Sequence, residues 1–404
     1  MTKTVDTLKW RTIRLLALAE LLSMAVWFSA SAVVPALTHE WQLTDAGRAG
    51  LTMSVQVGFV IGAFGAALLN LADRWPARWF FAISTFLSAL ATALIPIIAN
   101  LPSALILRFL TGVFLAGVYP VGMKIMATWT KEDRGLGIGL LVAALTIGSA
   151  MPHLLNFIGG VSEWQSVLYL AAGLAVIGGL IGMFFVREGP YRSPAPKFSW
   201  RYVGQILQNR DMVLVNLGYL GHMWELYAMW AWTPIFLAAS YTAVGVDASW
   251  ASLTAFGVIA VGGVGSWWAG SLADRFGRTT VTIGSLFISG ICALVAGFFF
   301  GGNPILLAVL CLIWGFAVVA DSAQFSAALT ELSPPAYIGT ALTLQTSMGF
   351  LLTLASIRLI PVLTQWVGWQ WAFTILALGP LVGILAMMRL RFSPAAARLA
   401  GGRG

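Results

Sequence analysis

Residues 270–278 read GSLADRFGR, a short charged turn that lies between two long apolar blocks. A related turn, NLADRWPAR, occupies residues 70–78 and keeps the Leu-Ala-Asp-Arg core. Further along the chain, a Trp-Gln pair opens an apolar block at residue 164 and again at residue 369. Self-similarity at a long and nearly constant interval predicts two related halves that run in the same direction, an arrangement typical of transport proteins.

The composition places these halves in a membrane. Of 404 residues, 59% are hydrophobic and only 9% are charged, whereas a soluble domain carries about 25% charged residues. Soluble enzymes, nucleic-acid binders and secreted disulfide scaffolds are therefore excluded. The apolar blocks are continuous rather than alternating, which excludes a β-barrel. Each is long enough to cross the bilayer as a helix, and the twelve blocks cover residues 11–37, 48–72, 79–99, 101–128, 135–158, 164–186, 211–240, 248–273, 279–300, 303–330, 336–365 and 369–390.

Lysine and arginine concentrate at both termini and in alternate connections, and they give the chain a net charge of +8. Because basic loops face the cytoplasm, we expect both termini there, in a multi-pass protein of the cell inner membrane. The longest polar stretch is rich in proline and arginine and predicts a cytoplasmic linker at 188–210, between six-helix bundles at 1–187 and 211–404. The expected fold is all-α, with twelve transmembrane helices in two pseudo-symmetric bundles.

The turn at 270–278 resembles the G-x-L-A-D-R-x-G-R signature of the major facilitator superfamily. Residues 108–112, RFLTG, resemble the R-x-x-x-G element that is linked to coupling in its proton-driven members. Residues 148–152, GSAMP, keep only part of the family's antiporter element G-x-x-x-G-P, which favours uptake over export. The resemblance implies the family fold and rocker-switch alternating access, with spans one, four, seven and ten around a central cavity.

The resemblance also implies a cytoplasmic gate at the two turns. Asp and Arg side chains at the helix ends would pair only when the cytoplasmic side is closed, and so favour the outward-facing state. Gly270 would permit a close approach of helices, whereas Asn70 and Pro76 replace signature glycines in the first turn. The expected gate residues are Asp73, Arg74, Gly270, Asp274, Arg275, Gly277 and Arg278.

Ionisable side chains inside the spans are candidates for function, because a charge at mid-bilayer costs at least about 2.5–3.5 kcal/mol on insertion scales. Most of them lie on spans one, four, seven and ten. Together with polar and aromatic neighbours, the candidates for binding substrate or coupling protons are Glu20, Trp27, Arg108, Lys124, His153, His222, Glu225, Tyr227, Asp321, Gln324 and Arg358.

Two pairings suggest how these residues could work. Glu20 and Arg108 lie at similar depths, so they could form a pair that loads and releases a proton as it opens and closes, or a permanent structural ion pair. His222 and Glu225 are three residues apart on span seven and share a helix face. That face could bind substrate or relay protons, or it could join helices through a hydrogen bond. Asp321 and Gln324 predict a polar stripe on span ten.

These features predict a proton-coupled secondary active transporter. Uptake of a small organic or inorganic anion is favoured because Arg108, Lys124 and two histidines make the interior positive. Aromatic and acidic side chains leave open the efflux of amphipathic compounds by proton antiport, and a non-transporting sensor or scaffold is the alternative of another class.

The sequence predicts neither an enzyme nor a cofactor or metal site, because it contains neither a G-x-x-x-x-G-K-[ST] phosphate loop nor an H-E-x-x-H metal spacing. The expected partners are a small-molecule substrate, protons and the lipid bilayer. Nucleic acid is not expected, and the expected oligomeric state is a monomer.

Overall fold

The computed structural model describes residues 2–130, 134–159, 163–191, 198–334 and 337–404. Every secondary-structure element in that part of the chain is helical, which confirms the all-α expectation. The chain divides into two compact units, with the boundary between Lys197 and Phe198. Each unit contains six of the predicted spans.

The helices of both units are interrupted within several predicted spans. In the first unit they are α1 (Thr2–Met24), α2 (Ser29–Ala32), α3 (Val34–Trp41), α4 (Asp45–Leu68), α5 (Leu71–Arg74), α6 (Ala77–Ile98), α7 (Leu101–Leu115), α8 (Tyr119–Ala127), α9 (Arg134–Gly159) and α10 (Trp164–Phe185). In the second unit they are α11 (Trp200–Gln208), α12 (Arg210–Ala243), α13 (Ser249–Phe276), α14 (Arg278–Val295), α15 (Pro304–Ala320), α16 (Ser322–Leu332), α17 (Ile338–Val367), α18 (Trp369–Ala372) and α19 (Leu378–Arg391). Short 3-10 helices are found at Ala296–Phe299, Phe373–Ala377 and Pro394–Arg398.

Ten helical segments in the described residues are long and apolar enough to cross a membrane. Predicted spans one and seven are helical but are not among those ten. Span one is divided between α1, α2 and α3. Helix α12 is long enough, but it carries His222, Glu225 and several Trp and Tyr side chains among its apolar residues. With these two helical regions, the twelve predicted spans are all accounted for.

The two units repeat the same helix contacts. In the first unit α4 packs against α7 and α1 against α10, while in the second α13 packs against α15 and α12 against α19. Gly112 of α7 faces α4 so closely that a Cβ atom there would overlap the Val55 carbonyl group. Gly315 of α15 faces the Val258 carbonyl group of α13 in the same way. Because small residues let membrane helices approach closely, the internal repeat of the sequence extends to the packing.

Spans one, four and ten are broken near their middle. The helix is interrupted over residues 25–28 in span one, over residues 116–118 in span four, and at Asp321 in span ten. A broken helix leaves backbone groups without intrahelical partners, which is tolerated within a membrane only where protein or water satisfies them. In transporters, such breaks accompany substrate and ion sites. All three breaks fall on spans that the family resemblance places around the cavity.

The predicted linker is folded at both of its described ends. At its first end, the backbone N–H of Gly189 donates a hydrogen bond to the Thr128 hydroxyl at 2.6 Å. Residues 192–197 lie outside the described part of the chain. After them, α11 packs against α12 and α17, and Tyr202 stacks on Tyr337 with ring centroids 4.5 Å apart. Helix α11 therefore belongs to the second unit.

Both units expose large apolar side chains and bury ionisable ones within a mainly apolar core. Ile106 and Ile158 expose 62% and 72% of their surface, whereas Glu20, Arg108 and Glu225 are completely buried. Large exposed apolar surfaces are rare on soluble monomers, and intramembrane charges normally face the interior of a bundle. This distribution is that of a multi-pass membrane protein whose outer surface contacts lipid.

Candidate functional site

The break in span one is held by the guanidinium group of Arg108 on α7. This side chain is completely buried. It donates hydrogen bonds to the carbonyl oxygens of Val26 at 2.8 Å and Leu51 at 3.3 Å, and to that of Trp27. The break at residues 25–28 exposes carbonyl groups, and the five N–H donors of an arginine can satisfy several acceptors at once. Arg108 is thus bound to the backbone of the break.

Two further contacts position the short helix α2 that follows the break. The hydroxyl oxygens of Ser31 and Thr52 lie 2.6 Å apart and join α2 to α4. The Asn156 side-chain amide donates to the Ala32 carbonyl group at 3.3 Å and joins α2 to α9. Polar groups from α4, α7 and α9 therefore converge on the broken part of span one.

Glu20 lies on α1 before the break and does not pair with Arg108. Its carboxylate is completely buried, and neither oxygen has a hydrogen-bond partner among the described residues. One oxygen faces Gly122 of α8, where a Cβ atom would collide with it. The expected ion pair is absent from this structure because backbone carbonyl groups occupy the guanidinium. Burying an unpaired charge costs much free energy. The protonation state of Glu20 must therefore depend on how polar its surroundings are.

The other candidates of the first unit differ in their surroundings. His153 on α9 is buried, and neither imidazole nitrogen has a hydrogen-bond partner in the part of the chain that the structure describes. Buried polar groups are normally satisfied, so this imidazole is a candidate ligand for a small molecule. Lys124 on α8 is half-buried. Trp27 is buried and packs edge-on against Phe59, with ring centroids 5.1 Å apart.

In the second unit, His222 on α12 contacts Asp321 at the break in span ten. Nδ1 of the imidazole lies 2.8 Å from Oδ1 of the carboxylate, and both side chains are 1% exposed. The ring of Phe325 lies beside the imidazole, with centroids 5.7 Å apart. Nε2 of His222 has no hydrogen-bond partner among the described residues. An imidazole with one nitrogen against a carboxylate and the other open is suited to proton transfer or ligand binding.

Glu225 has different partners from His222. Its Oε1 accepts a hydrogen bond from the Trp314 indole at 2.7 Å, and its Oε2 accepts one from the Ser289 hydroxyl at 2.8 Å. These donors lie on α15 and α14, so the carboxylate joins three helices. Both oxygens are satisfied by these donors rather than by His222, so the hydrogen bonds that join the helices at Glu225 are not the His222–Glu225 contact considered from the sequence.

Two remaining candidates of the second unit, Tyr227 and Arg358, have other surroundings than the pair of His222 and Asp321. Tyr227 is buried against Phe350 and Trp230, with ring centroids 4.9 Å and 5.4 Å away. Arg358 on α17 is exposed. Tyr227 thus belongs to an aromatic cluster on span seven, and Arg358 lies at the surface of its unit.

Arg278, the last residue of the 270–278 motif, binds the end of span ten. Its Nε lies 2.9 Å from Oε2 of Glu331, and its Nη2 lies 2.6 Å from Oε1. Its Nη1 donates to the side-chain oxygen of Gln324 at 2.9 Å. Gln324 therefore points to this network rather than to a stripe shared with Asp321. The carboxylate of Asp274 is 3.9 Å from Arg278 and remains 60% exposed.

The other expected gate residues have mixed environments. No atom of the described residues lies within 4 Å of the position that a Cβ would take at Gly270, so its expected role in a close helix approach stays a prediction. Gly277 has a φ of +91°, which favours glycine. Arg74 and Arg275 are exposed. The side chain of Asp73 lies outside the described part of the structure.

Two uncharged amides inside the spans are further candidate site residues that were not predicted, because the sequence analysis considered mainly ionisable side chains. The side-chain nitrogen of Gln345 on α17 donates to the side-chain oxygen of Asn216 at 3.2 Å. Its oxygen lies 3.3 Å from the Ser326 hydroxyl. Both amides are buried. An Asn or Gln within an apolar block was the available signal, since burying an amide without a partner costs free energy.

Comparison with known proteins decides the family. The sequence model of the Major Facilitator Superfamily matches residues 16–268 and 215–402. The chain belongs to this superfamily. It is 26% identical over 321 residues to a "probable 4-methylmuconolactone transporter" of Cupriavidus pinatubonensis, which covers 75% of this chain and 72% of that protein. It is 23% identical over 336 residues to the D-galactonate transporter of Escherichia coli, which covers 72% of this chain and 76% of that protein.

Solved structures show the same architecture for this major facilitator. A crystal structure of the nucleoside transporter NupG superimposes with a TM-score of 0.71 at 16% identity, covering 95% of this chain and 100% of that one. At this identity the likeness shows the fold alone. The resemblance of the motifs to the superfamily is confirmed, and the chain is a membrane transporter with two six-helix bundles.

Proposed function

We propose that this major facilitator takes up a small organic anion together with protons, by alternating access across the cell inner membrane. Two relatives support the class of cargo, because their names specify 4-methylmuconolactone and D-galactonate as substrates. Both compounds are small organic anions. The bias of Lys and Arg in the loops supports an orientation with both termini in the cytoplasm.

Proton coupling is proposed mainly because the carboxyl group of Glu20 is unpaired. It is completely buried next to a broken membrane helix, without a hydrogen-bond partner in the described residues. The cation that was expected to pair with it, Arg108, is bound to backbone carbonyl groups instead. When alternating access changes the solvation of such a group, its affinity for a proton changes with it. Glu20 is therefore the proposed proton carrier.

The anion needs donors that are not already bound. In this structure the Arg108 guanidinium donates to the backbone of the break, so we assign it a structural role rather than direct binding. Open ring nitrogens remain on His153 in the first unit and on His222 in the second. We propose the open ring nitrogen of each histidine, taken within its own unit, as a candidate donor to the anion.

Small carboxylates are expected to stabilise the purified protein against heat, more strongly at mildly acidic than at mildly alkaline pH. A ligand that binds only the folded state adds RT ln(1+[L]/Kd), or about 2.7 kcal/mol at a hundredfold excess over Kd. Protons that bind together with the anion should increase that stabilisation at low pH. The measurement is a thermal-shift series with D-galactonate, benzoate and nitrate at both pH values.

The same series includes lipophilic cationic dyes, because the aromatic cluster around Tyr227 would suit efflux of amphipathic compounds. Stabilisation by the dyes alone, and more strongly at alkaline pH, would replace uptake with proton-antiport efflux. If neither class of ligand stabilises the protein, and vesicles containing it accumulate none of them, the sensor or scaffold alternative is favoured. If an anion does stabilise the protein, its accumulation in vesicles with an inward proton gradient tests proton coupling directly.

A further inference from the structure

Residues 394–404 lie across the 270–278 motif, and we call them the clasp. Nη2 of Arg398 donates to the Leu332 carbonyl group at 3.0 Å, at the end of α16. The guanidinium of Arg403 donates to the Asp274 carbonyl group, near the end of α13. Leu399, between these two arginines, is completely buried. The clasp is therefore packed as well as hydrogen-bonded to the motif.

Gly277 provides the space that the clasp occupies. Its φ is +91°, and a Cβ atom at this position would overlap the carbonyl oxygens of Arg403 and Gly404. The backbone N–H of Thr279 donates to the Gly404 carbonyl oxygen at 3.2 Å. A glycine is thus required at the turn for two reasons, its backbone conformation and the contact with the clasp.

The clasp also shares a ligand with Arg278. The backbone N–H of Ala400 donates to Oε2 of Glu331 at 3.1 Å, the same oxygen that Nε of Arg278 approaches at 2.9 Å. One carboxylate therefore ties the clasp, the start of α14 and the end of α16 together. The Asp274 carboxylate lies at the edge of this network, 3.9 Å from Arg278 and 60% exposed, and the Arg275 side chain is exposed.

We propose that the clasp is a positioning element for the gate, a role that rests on the proposed transport function. It holds the backbone of the turn through the Asp274 carbonyl group and through Thr279, while the side chains of Asp274 and Arg275 remain free to meet their partners during the transport cycle. Without the clasp, the backbone that carries these two side chains is no longer held in place. Loss of the clasp should therefore have the same consequence as loss of the Asp274 carboxylate.

The double variant Arg398→Gln/Arg403→Gln, and a chain that stops after Ser393, should each slow net proton-driven uptake in vesicles roughly tenfold, because each loses at least two charge-assisted hydrogen bonds. Asp274→Asn should slow uptake to a similar degree. Combining Asp274→Asn with either clasp variant should add little, because both changes impair the same function of the gate. Additive effects on the rate, or wild-type uptake by the clasp variants, would overturn the proposal.

Hydrogen exchange gives a readout that needs no substrate. Peptides covering residues 274–282 and 328–334 should exchange faster in both clasp variants than in the wild type. Gly277→Ala should accelerate the same peptides more in the full chain than in the shortened one, where only the strain of its backbone conformation remains. Gly245→Ala is the matched control, since Gly245 has a φ of +75° with no atom near a Cβ. It should leave them unchanged.

The two readouts separate the two proposals. If the wild-type protein transports none of the tested anions but the clasp variants loosen the 274–282 peptide, the proposed function fails and the clasp contact stands. If the wild type transports an anion and the peptides exchange at the same rate in all variants, the clasp is refuted while the proposed function stands.

Discussion

Glu20→Gln is expected to abolish proton-driven accumulation of the anion while sparing exchange of anion across a sealed vesicle. The carboxyl group is completely buried and has no hydrogen-bond partner among the described residues. Glutamine has nearly the same shape but cannot take up or release a proton, so the variant should still bind and exchange anion. Only the step that draws on the proton gradient is lost.

Two vesicle assays with the same labelled anion make this measurement, one with a proton gradient and one with equal anion on both sides and no gradient. Glu225→Gln is the matched control, because Glu225 is equally buried but accepts hydrogen bonds from Trp314 and Ser289. It should lower the unfolding temperature and keep the ratio of driven accumulation to exchange. Driven accumulation by Glu20→Gln at the wild-type ratio would show that the proton is carried elsewhere.

The sequence predicted most of the fold because its strongest signals are local. Apolar block length and the charged turns at 70–78 and 270–278 each report on a single stretch of chain, and the bilayer allows few alternatives to a helix. The breaks in spans one, four and ten were not predicted. Residues 25–28 contain neither glycine nor proline. Their break is stabilised by Arg108, a residue remote in the sequence, so no local pattern could reveal it.

For the candidate residues, the sequence predicted a position inside the spans but not the partners they contact. Charge inside a span correctly marked Glu20, Arg108 and His222 as buried. Which groups meet depends on helix rotation and on competition between acceptors, and neither can be read from spacing. Arg108 was expected to meet a carboxylate and meets carbonyl groups instead. The roles of these residues in transport stay predictions.

Arg108→Ala is expected to destabilise the protein strongly and to abolish transport. It leaves the carbonyl groups at the break in span one without their donor, and a buried group left unsatisfied costs about 1–3 kcal/mol. The unfolding temperature without ligand measures this loss. Arg48→Ala is the control: this arginine is 33% exposed and forms an i,i+3 pair with Asp45. Such surface pairs contribute only about 0–1 kcal/mol.

Arg108→Lys separates a structural role from anion binding. Lysine keeps the positive charge, but its single ammonium group cannot replace a fork of donors that reaches both Val26 and Leu51. If Arg108 holds the break, the lysine variant should lose stability without ligand, and the anion should still stabilise the fraction that folds. If Arg108 binds the anion directly, ligand-free stability should be nearly unchanged, while stabilisation by the anion falls. The second result would move the anion site to the break itself and exclude the structural assignment of Arg108.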